Sequence, residues 1–405
     1  LSPEDRNLAT ALVMGVLRWE IALDAQIRGL LARPEQRLAE PVALALRMGT
    51  FQLLHMDRIP AHAALSESVE MCRAAGQPHA AGMVNAVLRK VAGPTSQKRD
   101  LGHPISRRPL FESTAAFAER LGHPRWLAER WVQAYGREAA MAICAYDQHE
   151  PAAGAMFVVD TTQELPQMDD GSRLVAEIAA TAVPRVEGRA VRVWDCCAAP
   201  GGKTLVLAAR LRGAEIRASD VSKKRMAQME ARLRRYGYAE GVRCVVEDAA
   251  VLTLGGETAM NGTPGFDLIL CDVPCSGTGT LARNPEIRHR LRQEELARQA
   301  ERQRAILAGA LGRLVPGGRL VYATCSLEDE ENQGVVDALA EGFRRVPVEG
   351  LIARLPERGG LRQEVAEMLL KSGMLDGALR TLPGLHPCDG FYAVVLERIQ
   401  SSAPM

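Results

Sequence analysis

Two cysteines fifty positions apart share one local setting: Asp272-Val273-Pro274-Cys275-Ser276-Gly277 and Ala323-Thr324-Cys325-Ser326. Each follows an apolar run that reads as a buried strand, Phe266 to Cys271 and Arg319 to Tyr322. Each thiol is therefore expected just past a strand's C-terminal end, the edge of an open α/β sheet where ligands bind. A thiolate is a strong, soft nucleophile. The C5 carbon of a pyrimidine is too electron-poor to take a methyl group unaided, but thiolate addition at C6 turns C5 into an enamine-like nucleophile. A carboxylic acid near N3 would stabilise the charge that develops on the ring. After transfer the C5 proton must leave and the sulfur must be expelled, which a second thiol could assist. Asp272, Cys275 and Cys325 supply that set. Cys196 and Cys271 read instead as core residues.

A third strand, Val191 to Trp194, runs into Asp195-Cys196-Cys197-Ala198-Ala199-Pro200-Gly201-Gly202-Lys203-Thr204. That is a strand, a glycine turn and a helix start. Gly201 and Gly202 remove side-chain bulk where backbone could approach a ligand. Lys203 and Thr204 open a helix whose free N–H groups favour a carboxylate or phosphate. Asp220 ends the next strand, where such folds place an acid against ribose hydroxyls. Asp248 ends the one after and could bond an adenine amine. Together these point to a nucleoside cofactor. The chain has no G-x-x-x-x-G-K-[ST] pattern for ATP or GTP hydrolysis and no G-x-G-x-x-G for a dinucleotide.

These residues need a scaffold, and the chain supplies it after Ser172. There strands and helices alternate, which predicts a mostly parallel, doubly wound Rossmann-like sheet. The expected strands are Val191–Trp194, Glu215–Ser219, Val242–Val246, Phe266–Cys271, Arg319–Tyr322, Arg345–Val348 and Phe391–Glu397. Upstream, residues 1–92 read as an all-α bundle. Leu8, Leu12, Val16 and Trp19 recur at helical spacing, as do Leu44, Met48, Phe51 and Leu54. Residues 93–110 read as a basic linker and 111–172 as a helical connector. Its stripe of Trp126, Leu127, Trp131 and Tyr135 suits core packing better than base stacking. The catalytic domain then spans 173–400.

At 405 residues with 47% apolar content, two or three domains with real cores are expected. No run approaches a membrane span. Nine cysteines without disulfide-scaffold spacing or a Cys-x-x-Cys motif predict free thiols, no metal site and a reducing, cytoplasmic setting. No secretory signal is visible, but the chain opens at Leu1 rather than Met, which weakens that observation. The net charge of +1 is uninformative, its distribution less so. Lys203 to Arg235 holds ten Lys/Arg against three Asp/Glu, and Arg283 to Arg304 seven against four. Excesses flanking the candidate site suit a phosphate backbone.

The segments Asp195–Thr204, Asp272–Gly279 and Tyr322–Asn332 resemble the three signature segments of S-adenosylmethionine-dependent RNA (cytosine-5)-methyltransferases. The N-terminal helices resemble the NusB-type RNA-binding fold, above all at Gly15-Val16-Leu17-Arg18 and Val84-Asn85-Ala86-Val87-Leu88-Arg89. The combination is similar to the bacterial Sun/Fmu (RsmB-type) family of small-subunit rRNA methyltransferases, and Asp389-Gly390-Phe391-Tyr392 matches the family's closing strand. The resemblance implies that Cys325 is the nucleophile and that Cys275 helps release the product. It also implies that Cys197, Ala198, Ala199, Pro200, Gly201, Gly202, Lys203, Asp220, Asp248 and Asp272 line the cofactor or base. Its partner would be RNA, most of all 16S rRNA, bound by a monomer. Three departures stand out. Val273 replaces a usual Ala. Arg288-His289 replaces a usual Lys-Trp, implying altered local RNA contacts. Pro151 to Ser172 is short and lacks an Arg-Val-Asn, with Met156-Phe157-Val158-Val159 in its place, which bears on RNA choice. The alternatives are a tRNA cytosine-5 methyltransferase and a non-catalytic RNA-binding or ribosome-assembly factor. Intact Cys275 and Cys325 speak against the latter. An exocyclic-amine methyltransferase would want an Asn/Asp-Pro-Pro-aromatic loop, which Asp272-Val273-Pro274-Cys275 is not.

Overall fold

The computed structural model describes residues 2–93, 112–151, 154–158, 165–251 and 265–399. Nearly all of the expected basic linker, 94–110, lies outside them, as does Val159. The chain divides into two compact units, one of residues 1–150 and 282–289, the other of 151–281 and 290–405.

The first unit is all helix: α1 (Pro3–Leu30), α2 (Glu40–His55), α3 (Ala61–Ala74), α4 (Ala81–Ala92), α5 (Thr114–Arg120), α6 (Arg125–Tyr135) and α7 (Arg137–Tyr146). Ser2 and Asp5 close α1 with a reciprocal capping box, which satisfies donors that a helix start leaves free. Its core joins Val16, Trp19, Leu23, Leu46, Phe51, Val84 and Leu88. Gly15 is required there, because a Cβ would sit 2.0 Å from the Phe51 ring. The expected stripes were only partly right. Leu8 and Leu44 are exposed, and the buried side of α2 runs through Val42, Ala45, Leu46, Gly49 and Phe51. In α6, Leu127 and Trp131 are core residues, while Trp126 is half-buried.

The second unit is a nine-stranded mixed sheet: β1 (Arg192–Asp195), β2 (Glu215–Asp220), β3 (Val242–Val246), β4 (Phe266–Asp272), β5 (Leu314–Thr324), β6 (Phe343–Val346), β7 (Met374–Leu375), β8 (Ala378–Arg380) and β9 (Tyr392–Arg398). The order is β3-β2-β1-β4-β5-β9-β8-β7, with β6 also paired to β9. The five strands β3, β2, β1, β4 and β5 are parallel, and β9 turns the sheet antiparallel. Helices α8 (Asp170–Thr181), α9 (Gly202–Arg210) and α10 (Lys223–Arg235) follow in chain order, then α11 (Ile287–Arg290), most of which belongs to the first unit, and α12 (Gln293–Leu311). β4 is apolar from Leu268 to Cys271 because both of its faces are covered. Leu268 and Leu270 face a core with α8, α9 and α10, whereas Ile269 and Cys271 face a second core with α12.

Two segments depart from expectation. Glu331 to Gly342 read as one helix, but the chain makes a 3-10 turn at Asp329–Glu331 and a short helix at Gln333–Asp337. The short Pro151–Ser172 segment is docked where it is described. Met156 and Phe157 are core residues, Arg362 N donates to Met156 O at 2.9 Å, and Val158 N donates to Gly360 O at 2.8 Å. Among the described residues, no helix is long and apolar enough to cross a membrane.

Candidate active site

The parallel strands put their C-terminal ends side by side, and the chemistry-bearing residues collect there. β1 ends at Asp195, buried, with Oδ2 accepting from Thr204 Oγ1 at 2.6 Å. Burial pushes this carboxyl up to about 7, against the Thr204 hydrogen bond. The turn after it is held by backbone bonds: Ala198 N donates to Ser219 O at 2.8 Å and Gly201 N to Ala198 O at 2.7 Å. Ala199 O accepts from the Arg225 guanidinium, and the Ala199–Pro200 peptide is cis. Gly201 has φ of 93°, a conformation that favours glycine, and a Cβ there would lie 2.7 Å from Met229 Cγ. Backbone shape and the packing of α10 both call for glycine at this position.

Gly202 and Lys203 open α9. Lys203 Nζ lies 2.7 Å from Asp272 Oδ2 and 3.2 Å from Ser172 Oγ. Burial alone would lower the Lys203 ammonium, but the Asp272 carboxylate outweighs it and holds the group above its ordinary value. At the end of β2, buried Asp220 takes Ser222 N at 2.9 Å on Oδ1, and Arg225 Nη2 stands 3.4 Å from Oδ2. Asp248 follows β3, is exposed and accepts Ala250 N at 2.9 Å. Cys197 is half-buried, its thiol pushed well up by its neighbour Cys196 and by burial.

β4 and β5 deliver the two thiols. Cys275 Sγ and Cys325 Sγ are 3.4 Å apart, both half-buried. The hydrogen bond with Cys325, together with burial, pushes the Cys275 thiol well up, so Cys275 keeps its proton. The loops are stitched by backbone: Val273 N donates to Ala323 O at 3.0 Å and Gly279 N to Cys325 O at 2.9 Å. Gly279 is fixed by a close contact within the protein. A Cβ there would stand 2.3 Å from Gly390 O, so it is the approach of the Gly390 backbone that demands glycine.

One residue set escaped the reading of the sequence. Glu331, fully buried, accepts from Ser276 N at 2.8 Å, from Gln303 Nε2 at 3.0 Å and from the hydroxyls of Ser276 and Ser326. Those serines directly follow the two cysteines. The signal was faint: two Cys-Ser pairs and an acid just past β5. Glu331 sits in Glu328-Asp329-Glu330-Glu331, which reads as a solvated turn.

Arg288 is also held by distant partners. It is 2% exposed and donates to the carbonyls of Arg18 at 2.7 Å and Gly122 at 2.9 Å, inside the helical unit. Burial lowers the guanidinium to about 10. Arg288 is thus committed to hydrogen bonds within the helical unit. The basic run Arg283–Arg304 is accordingly split, 283–289 belonging to one unit and the rest to the other. The first basic excess does form a surface: Lys223, Lys224, Arg225, Arg234 and Arg235 of α10 are exposed.

Comparisons with known proteins agree with this architecture. Residues 184–397 match the 16S rRNA methyltransferase RsmB/F family, and residues 1–93 match the NusB family. Ribosomal RNA small subunit methyltransferase B of Xanthomonas campestris is 33% identical, over 98% of this chain and 90% of the relative. The protein of the same name from Vibrio cholerae is 30% identical, over 98% and 91%. The crystal structure of PH0851 shares the fold with a TM-score of 0.67 at 21% identity, over 97% of this chain and 90% of that one.

Proposed function

Because the chain belongs to the 16S rRNA methyltransferase RsmB/F family, a family of S-adenosylmethionine-dependent RNA (cytosine-5)-methyltransferases, we propose that it methylates C5 of a cytosine in 16S rRNA through a covalent adduct of Cys325 at C6. The observation that carries this reading is the pair of thiols 3.4 Å apart at the sheet edge that also bears the Lys203–Asp272 ion pair.

The donor set suits the cofactor. Asp220 and Asp248 offer carboxylate oxygens to a ribose diol and an adenine amine at the ends of neighbouring strands. The start of α9 offers backbone N–H groups to a carboxylate, beside Lys203. S-adenosylmethionine, when bound, supplies an electrophilic methyl group. Cys197, Ala198, Ala199, Pro200, Gly201, Gly202, Lys203, Asp220, Asp248 and Asp272 are the residues this reading gives to the cofactor and the base edge.

The protein's own residues do the rest. The Cys325 thiolate adds to C6 and the ring pair moves to C5. Asp272 faces N3, and its Lys203 partner keeps a proton and a positive charge within reach of the developing negative charge. After transfer the C5 proton passes to solvent water, the C–H electron pair re-forms the C5=C6 bond and the Cys325 sulfur is expelled. Cys275, held as a neutral thiol, is placed to donate its S–H to that departing sulfur. Residues 1–92 and the exposed basic face of α10 would hold the rRNA, with the chain acting as a cytoplasmic monomer. Bisulfite sequencing of total RNA from cells with and without the gene tests the assignment. One 16S cytosine losing its protection in the deletion supports it, and a tRNA cytosine doing so overturns the substrate.

A further inference from the structure

We propose that Glu331 is a positioning residue that sets the spacing of the two thiols by tying the residue after each cysteine to one buried carboxylate. The proposal rests on the reading above, in which both thiols act on one base. Ser276 reaches Glu331 through its backbone N–H at 2.8 Å and through its hydroxyl, and Ser326 reaches it through its hydroxyl. The two serine oxygens are 3.1 Å apart. Gln303 Nε2 supplies a fourth donor at 3.0 Å, and Tyr322 holds the Glu331 carbonyl at 2.6 Å. Thr278 closes the other side, accepting from Leu327 N at 2.9 Å.

A carboxylate is the group this position needs. Both of its oxygens accept without having to donate, so it takes up donors from two loops at once. An amide offers one acceptor oxygen and two N–H donors and would meet donors on one side. Charge-assisted bonds in a buried site are short and costly to lose, so the clip is stiff. The consequence lies one residue away in each loop, at the 3.4 Å sulfur separation. If Cys275 must reach the sulfur it helps expel, that separation decides how fast the covalent adduct resolves.

The spacing can be read without any methyltransferase assay. The azo oxidant diamide takes two electrons and two protons from a pair of adjacent thiols, leaving an S–S bond and a hydrazine. In the intact full-length protein, Cys275–Cys325 disulfide formation is followed by peptide mass mapping after alkylation. Glu331→Gln should form this disulfide at least about tenfold more slowly, while Glu331→Asp recovers part of the rate. Alkylation rates of Cys275 and Cys325 without oxidant report whether access differs among the variants. Buried Cys196 and Cys271 serve as a folding gauge, since native alkylation of either would mark a loosened sheet. A second measurement ties the spacing to the reaction. Glu331→Gln should accumulate a denaturation-resistant RNA–protein complex although both cysteines are present. An unchanged disulfide rate in a Glu331→Gln protein whose Cys196 and Cys271 stay protected overturns the proposal. A slowed disulfide with no RNA complex in either protein, wild type or variant, leaves the clip standing and overturns the adduct reading instead. Should Glu331→Gln prove unfolded by that gauge, Ser326→Ala removes one arm of the clip and must slow the disulfide, or the clip is refuted.

Discussion

Two pairs of sulfurs are brought together from distant positions in the chain, and they differ in access. Cys196 Sγ and Cys271 Sγ are 3.0 Å apart, Cys275 Sγ and Cys325 Sγ 3.4 Å apart. Cys271 lies within β4 and Cys275 four residues beyond it, so both pairs draw on the same strand. Yet the first pair is sealed among Trp194, Ile269 and Tyr322 of the core. The second is half-exposed in polar loops, beside a Lys–Asp ion pair and above a buried carboxylate. Proximity of two thiols alone therefore does not tell the pairs apart. What separates the pairs is access, a nearby acid, and a frame that fixes the loops.

The largest contrast should come from replacing the sulfurs themselves. Cys325→Ala should give neither methylation nor an RNA–protein cross-link. Cys275→Ala should still form the adduct but resolve it slowly, leaving a shifted band on a denaturing gel. Removing both should abolish the band, because the trap depends on the nucleophile. A band with Cys325→Ala and none with Cys275→Ala would reverse the roles.

The carboxylates at the ends of β1 and β2 are both buried but differently partnered, Asp195 by Thr204 and Asp220 by Ser222 and Arg225. Asp195 is raised to about 7 in the fold by burial, from 3.8. The folded protein therefore holds a proton that the unfolded chain has lost between those two values. Through that window stability should fall as pH rises, by at most about 1.4 kcal/mol per pH unit. Below the unfolded value the effect vanishes, and above the folded one it stays at its full size. Asp195→Asn keeps the shape and an acceptor for Thr204 but does not titrate. Its urea-unfolding free energy should therefore lack this slope between about pH 4 and 7 relative to wild type. Parallel curves for the two proteins would place the Asp195 proton elsewhere.

Asp220 stands at the edge, and its loss should be felt by the ligand. A diol offers two donors to one carboxylate, and losing a charge-assisted bond costs roughly 1.5 to 3 kcal/mol. Asp220→Ala should weaken S-adenosylmethionine binding by about one to two orders of magnitude in calorimetry. Unchanged affinity in a folded variant would move the cofactor to another place.

The same contrast explains what could be read from the sequence. The strand-end residues were legible because an apolar run followed by a polar turn is a local pattern, and β1 to β5 lie within a few residues of their expected ranges. β7, β8 and the helix Gln363–Ser372 went unread, being short elements whose meaning comes from β9 and the neighbouring core. The structural parts played by Glu331, Gly279 and Arg288 are not legible locally, for one shared reason. Each is explained by a partner distant in the chain: Ser276 for Glu331, Gly390 for Gly279 and Arg18 for Arg288. An acid in an acidic turn, a glycine in a glycine-rich loop and an arginine in a basic run look ordinary until that partner is known.

The smallest effect should belong to the sealed sulfur. Cys271 is fully buried, its thiol pushed up by burial in the same core as Ile269 and Tyr322. Truncating it to Ala deletes one atom from a packed interior and leaves a small void, for a cost of about 1 kcal/mol. The loss should show as a lower urea midpoint with an unchanged slope, because surface exposed on unfolding hardly changes. Methyl transfer should persist, since nothing in the chemistry needs a sulfur below the sheet edge. Cys196→Ala should behave alike, and the double variant should cost less than the sum, because the two sulfurs touch and the first truncation already relieves the site. A turnover loss in Cys271→Ala as deep as that in Cys325→Ala, in a protein with normal stability, would mean that the interior pair takes part in the reaction and that burial does not divide the two pairs.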